Sequence, residues 1–235
     1  MRNFPLGMAV FAVILVGCLC GVLIGGFGYR GAVDEAGAAY LLRAVEDTGA
    51  ANMVSAIYLN YRLYDTLFEL LVFSVAVLGV RFYLVGRNEE QVGSIPESQV
   101  VRTSADLLFP PILLLGIYLV LFGHLSPGGG FSGGVIAGTG LLLCAVALGA
   151  EVVARRFHEG ILERLEWGVL LAVIILAIFP VAMGRVPLTD LLPTGRLGQL
   201  GSGGSILIYN GLIGIKVFIG TWVIIHYFMR HRGEI

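Results

Sequence analysis

Six stretches of roughly twenty residues each, nearly free of charge, limit what this chain can fold into. They run near 6–28, 64–85, 105–125, 129–150, 161–183 and 205–229. A helix rises about 1.5 Å per residue, so about 20 residues cross the ~30 Å hydrocarbon core of a bilayer. Inside that core every backbone N–H and C=O must be satisfied by the segment itself, which favours helices. Of the 235 residues, 57% are hydrophobic and 13% charged, against about 25% charged in soluble domains. Too little charge remains to cover a water-exposed surface. The reading is an all-α membrane protein with about six transmembrane helices.

The run at 6–28 reads as a membrane helix and not a cleaved leader. It is longer than the apolar core of a signal peptide, and no small-residue cleavage site follows it. "LVGC", 15–18, has the look of a lipoprotein box, but Cys18 reads as a cysteine within a span, as do Cys20 and Cys144. Three cysteines fall short of the four thiolates that hold a [4Fe–4S] cluster. No pair has metal-ligand spacing. Phosphate loops, zinc motifs and nucleophile elbows are missing too. The chain therefore reads as non-catalytic, with no cofactor of its own. A net charge of −1 without a basic cluster offers nothing to nucleic acid.

Arginines set the orientation. With six spans, one side receives Arg2, Arg81, Arg87, Arg102, Arg155, Arg156, Arg164, Arg230 and Arg232. The other receives Arg30, Arg43, Arg62, Arg185 and Arg196. Positive charge accumulates on the cytoplasmic side, so both termini are read as cytoplasmic, in a cell or inner membrane. The polar segment 86–104, "GRNEEQVGSIPESQVVRTS", then reads as a cytoplasmic linker between an N-terminal and a C-terminal module.

Glycines mark helix contacts. Gly17, Gly21 and Gly25 recur every four residues in the first span, as do Gly130, Gly134 and Gly138 in the fourth. That spacing lets helix backbones approach closely where lipid gives no hydrophobic drive for association. Between the third and fourth spans stands "FGHLSPGGGFSGG", 122–134. Proline and glycine both weaken helix, so the stretch reads as a tight turn at the extracytoplasmic surface, with His124 at the end of the third helix.

Few ionisable groups lie in the spans, and each one is costly there. Arg62, Asp65 and Glu69 share one helix face by their spacing. Glu69 lies inside the second span. Glu163 and Glu166 stand at the start of the fifth, where acids suit a helix N-terminus, and read as structural or orienting residues. Lys216 is the only lysine in the chain and lies near the middle of the sixth span. Eleven residues from Ser205 correspond to about 16 Å of helix, close to the bilayer midplane. Snorkelling from that depth is poor. Lys216 is therefore expected to face protein or a hydrated cavity, either as a proton relay or in a permanent ion pair. Gly211, Gly214 and Gly220 would leave room around it, and Tyr209 lies two turns away.

"GHLSPGGGFSGGVIAG" resembles the signature of the MnhB/MrpB family, the small membrane subunit of Mrp-type cation/proton antiporters. Related subunits occur in membrane-bound hydrogenase and sulfane sulfur reductase complexes. "ILIYNGLIGIKVFIGTWVI", 206–224, resembles that family's last helix, and the likeness spans about 105–230. "DTGAANMVSAIYLNYRLYDTLFELLVF", 47–73, resembles the C-terminal segment of the large MrpA subunit, with Asn60 and Phe68 departing from its usual acid and glycine. The resemblance divides the chain into a two-helix module, 1–90, a linker, 91–104, and a four-helix module, 105–235. It implies large MrpA- and MrpD-like partners, small MrpC-, MrpE-, MrpF- and MrpG-like ones, or a hydrogenase-like redox arm. Na⁺ and H⁺ would be the ions, and lipid the solvent. Two roles stay open: part of an ion path using Lys216, Glu69, Asp65 and His124, or a scaffold that carries no ion. A solute channel working alone has too few pore-lining polar residues. A tag on the C-terminus should be protected from outside reagents in sealed cells; labelling from outside would reverse the assigned orientation.

Overall fold

The computed structural model describes residues 35–84, 98–155 and 159–230. The chain divides into two units, 1–39 and 40–235, and the membrane helices described belong to the second. The helices are α1 Glu35–Thr48, α2 Met53–Ala56, a π-helical turn Ile57–Tyr61, α3 Leu63–Leu84, α4 Gln99–Phe122, α5 Gly130–Leu148, α6 Ala150–Ala154, α7 Glu159–Ala182 and α8 Ser205–Arg230. No strand occurs among the described residues. Among the described residues, five segments are long and apolar enough to cross a membrane: α3, α4, α5, Arg164–Ala182 of α7 and Ser205–Met229 of α8. These coincide with the runs from 64 to 229. The run at 6–28, with Gly17, Gly21, Gly25, Cys18 and Cys20, lies outside the described residues, as do both chain ends.

One boundary differs from the apolar pattern. α4 begins at Gln99, so 99–104 of the polar segment is helical. The Ser98 hydroxyl accepts from Val101 N at 3.4 Å, a side-chain cap that starts a helix in polar sequence before its apolar part. Apolar periodicity carries no trace of such a start.

Successive spans joined by short loops alternate in direction. Leu63, Phe122, Gly130, Ala182 and Ser205 mark one membrane face, and Leu84, Gln99, Leu148, Glu159 and Arg230 the other. α8 is the axis of the bundle and packs against α3, α4, α5, α6 and α7. α5 is wedged between α4 and α8. Its Gly130, Gly134 and Gly138 face α8: a Cβ on Gly134 would stand 2.7 Å from Gly214 O, and one on Gly138 2.7 Å from Thr221 Cγ2. A second glycine row faces α4, where a Cβ on Gly116 would stand 2.8 Å from Gly133 O. At these glycines no side chain fits on either flank of α5. The glycines expected to make room for Lys216 serve other neighbours: Gly214 receives Val120 of α4, and Gly220 receives Phe73 of α3.

The turn between α4 and α5 is held from two sides. Asn52 caps α2 by accepting from Val54 N at 3.1 Å, and its amide donates to Gly123 O at 2.7 Å and Ser126 O at 3.0 Å. Its backbone N donates to His124 O at 3.0 Å. From α8, Asn210 Oδ1 accepts from Gly130 N at 2.9 Å and from the Tyr58 hydroxyl at 3.0 Å. The first turn of a helix leaves N–H groups unpaired, and a buried one is costly. Asn210 satisfies one of them with a side chain from another helix. Gly129, at φ 141°, passes under Tyr58 where a side chain would be strained and would collide.

Gly134→Leu should prevent α5 from seating against α8 and sharply reduce the yield of folded protein in detergent. Gly168→Ala, where a Cβ meets nothing within 4 Å, should hold or raise thermal stability, since alanine is up to about 1 kcal/mol better than glycine inside a helix. Thermal unfolding of the two variants checks both.

Candidate functional site

Lys216 is fully buried, the bulkiest such side chain among the described residues. Its Nζ donates to Glu166 Oε1 at 2.6 Å, and the Glu166 side chain is 8% exposed. The Trp167 ring lies 5.9 Å from Nζ, within cation–π range. The pair joins α8 to α7 across 50 residues of sequence. The acid read as orienting its own helix start thus lies on the mid-span lysine instead. No local spacing could show this, because the two residues are brought together only by packing. The Glu163 side chain lies outside the described residues.

The other candidates sit elsewhere. Arg62 pairs with Asp65 at the start of α3, and the Arg62 side chain is 55% exposed. Such an exposed pair is screened by solvent and contributes little beyond steadying the helix entry. Glu69, one turn deeper in α3, is exposed on this chain's surface beside the exposed apolar Phe68 and Val72. His124 is completely buried, against Gly203 just before α8. Asp65, Glu69 and His124 therefore cluster toward the Leu63 face, apart from Lys216, and the structure does not gather the four into one site.

Two further polar features had no strong sequence signal. Asn60, where the resembling segment has an acid, donates its amide to Asp190 in the α7–α8 loop. Burial raises the Asp190 pKa, while hydrogen bonds from Ser205 and Asn60 oppose that shift. At the Leu84 face, a cavity of about 40 Å³ is lined by Arg81 of α3, Leu162 and Glu166 of α7, and Trp222, His226 and Tyr227 of α8. Its wall includes the carboxylate that holds Lys216. Among the described residues no group of three or more His, Cys, Asp or Glu could hold a metal ion.

The chain is 31% identical to a chain of the membrane-bound sulfane sulfur reductase, an archaeal respiratory membrane complex. That match has a TM-score of 0.80 and covers 95% of this chain and 97% of that one. Against the Mrp complex from Dietzia sp. DQ12-45-1b the TM-score is 0.77 at 23% identity, over all of this chain and 27% of that one, which shows a shared fold. Among curated proteins, it is 30% identical over 159 residues to the A/B subunit of a probable K⁺/H⁺ antiporter of Rhizobium meliloti (strain 1021), covering 57% of this chain and 16% of that protein. It is 32% identical over 87 residues to the B subunit of a Na⁺/H⁺ antiporter of Bacillus subtilis (strain 168), covering 37% of this chain and 58% of that protein. The chain thus spans less than two thirds of either curated relative. The model of the domain related to the MnhB subunit of Na⁺/H⁺ antiporters matches residues 100–223, more than half of the sequence, and this multi-pass membrane chain belongs to that family.

Proposed function

We propose that the chain is a non-catalytic membrane subunit of an Mrp-type cation/proton antiporter or a related ion-pumping respiratory complex, and that Lys216 takes part in its ion or proton translocation. The observation that carries this reading is the buried Lys216–Glu166 pair between two membrane-spanning helices. Removing two charges from water is costly, and apolar residues of similar volume often serve stability as well or better. A pair kept at that cost fits a group that changes protonation during turnover. Both termini face the cytoplasm in this proposal, which makes the Leu84 face cytoplasmic. The carboxylate of Glu69, exposed on the chain yet inside a span, is covered by a larger partner protein. The relatives' names support partners of the antiporter kind and leave the transported cation to be measured. The two-module organisation, with 1–90 and 105–235 as fused neighbouring subunits, belongs to the same proposal.

The scaffold reading has its own support in the two glycine rows of α5, which serve packing alone. Lys216 separates the two. Lys216→Ala strands a buried carboxylate, which costs about 3–5 kcal/mol, so assembly should suffer. The double substitution Lys216→Met with Glu166→Leu should restore assembly. If the pair moves ions, coupled transport in membrane vesicles stays lost in the double variant and in Lys216→Arg, because arginine keeps its charge and cannot release a proton. Normal coupling in an assembled double variant would leave the scaffold role alone.

A further inference from the structure

We infer that Glu166 is the water-facing half of the buried pair, and that the cavity beside it is a short proton-access route to the Leu84 face, with His226 along it. The inference deepens the proposed function and takes from it only the orientation of the chain and the transport role of the pair. Glu166 touches two environments at once: one carboxylate oxygen accepts from Lys216 at 2.6 Å, and the residue also lines the 40 Å³ cavity. A water needs about 10–15 Å³ in the same measure and two to four polar partners. The cavity therefore has room for two or three waters, with Arg81, Glu166, His226 and Tyr227 offering polar groups.

Its position gives it a direction. Arg81 stands in the last turn of α3, Leu162 and Glu166 in the first two turns of α7, and His226 about one turn from the end of α8. All three helix ends lie on one membrane face. Lys216, ten residues before His226, is about 15 Å further along the axis. A proton entering here meets His226 and cavity water before it meets the Glu166–Lys216 pair.

Coordination selects the ion. Glu166, which lines the cavity, is already engaged by Lys216. With His226, the ionisable groups lining the cavity are Arg81 on α3, Glu166 on α7 and Tyr227 on α8, and exposed Arg164 stands two residues before Glu166. α6 with its following residue adds exposed Glu151 and Arg155, α4 adds exposed Arg102 and Asp106, and α5 adds none but Cys144. A dehydrated Na⁺ needs several oxygen ligands, more than the lining of so small a cavity supplies. A proton needs a water chain and an acceptor. The step is balanced: a proton arriving from bulk through cavity water binds the Glu166 carboxylate, and the ion pair becomes an ammonium beside a neutral acid.

The test is infrared spectroscopy on the intact complex in oriented proteoliposomes, with the Glu166 carboxyl band identified by its loss in Glu166→Gln. A pH step on the face bearing the C-terminus should change that band in the native complex. Val223→Trp, which fills the cavity from α8, should abolish the response, and His226→Gln should shift its pH midpoint. If Val223→Trp does not assemble, Leu162→Phe closes the same space from α7. A band that ignores pH on this face, that responds only from the other, or that survives the filled cavity unchanged would overturn the inference. A band shift on adding NaCl at constant pH would overturn the choice of proton over metal cation. Should Glu166 respond as described while Lys216 variants transport normally, the transport reading falls and the access route stands.

Discussion

A lysine in the middle of a membrane-spanning helix is the condition around which this bundle is arranged. Nothing in hydrocarbon solvates an ammonium, so Lys216 must be enclosed by protein and given a counter-charge. Glu166 supplies the charge from α7, and the helices packed on α8 supply the enclosure. α8 is consequently the axis of the fold, contacted by five other helices. Its polar groups are spread along its length: Asn210 near the Leu63 face, Lys216 in the middle, His226 near the Leu84 face.

Enclosing α8 that tightly requires a thin neighbour. α5 provides it with glycines on two flanks, so that its backbone lies against α8 on one side and α4 on the other. Close approach strengthens dispersion contacts, which replace the hydrophobic drive missing in lipid. It also brings the N–H of Gly130 within reach of Asn210, so the start of α5 is satisfied by the helix it packs on. Asn52 holds the preceding turn by the same logic: its side-chain amide and backbone N–H reach from the start of α2 across more than 70 residues of sequence. The proline and glycines of 122–134 are thus a turn whose backbone is fastened by two asparagines.

Hydrogen bonds and charge divide the membrane depth unevenly. Near the Leu63 face, polar side chains fasten turns and helix starts: Asn52, Tyr58, Asn60 with Asp190, and Ser205 accepting from Leu191 N at 3.0 Å. Near the Leu84 face they line a space large enough for water. The first arrangement ties one end of the bundle together across helices. The second places a small cavity beside Glu166 at the other end.

Run length and composition alone decided that the chain is a helical membrane protein, where five of its spans lie, and that Lys216 must be shielded. Each follows from the local cost of exposing backbone or charge to lipid, which depends on residues adjacent in sequence. The every-fourth glycines marked a close-packing face of α5 for the same reason, since helical spacing turns sequence distance into direction, while only packing showed that α8 fills it. The row facing α4, set by Gly133 opposite Gly116, follows no repeated spacing and went unread. Pairing was decided by packing only. Glu166 looked like a helix-start acid, because electrostatics at a helix end is a one-helix property, while its bond to Lys216 depends on how α7 lies on α8. Arg81 and His226 come from separate helices and meet at the same cavity, which exists only as space left between packed side chains. A cavity has no residues of its own, so no run, repeat or motif records it.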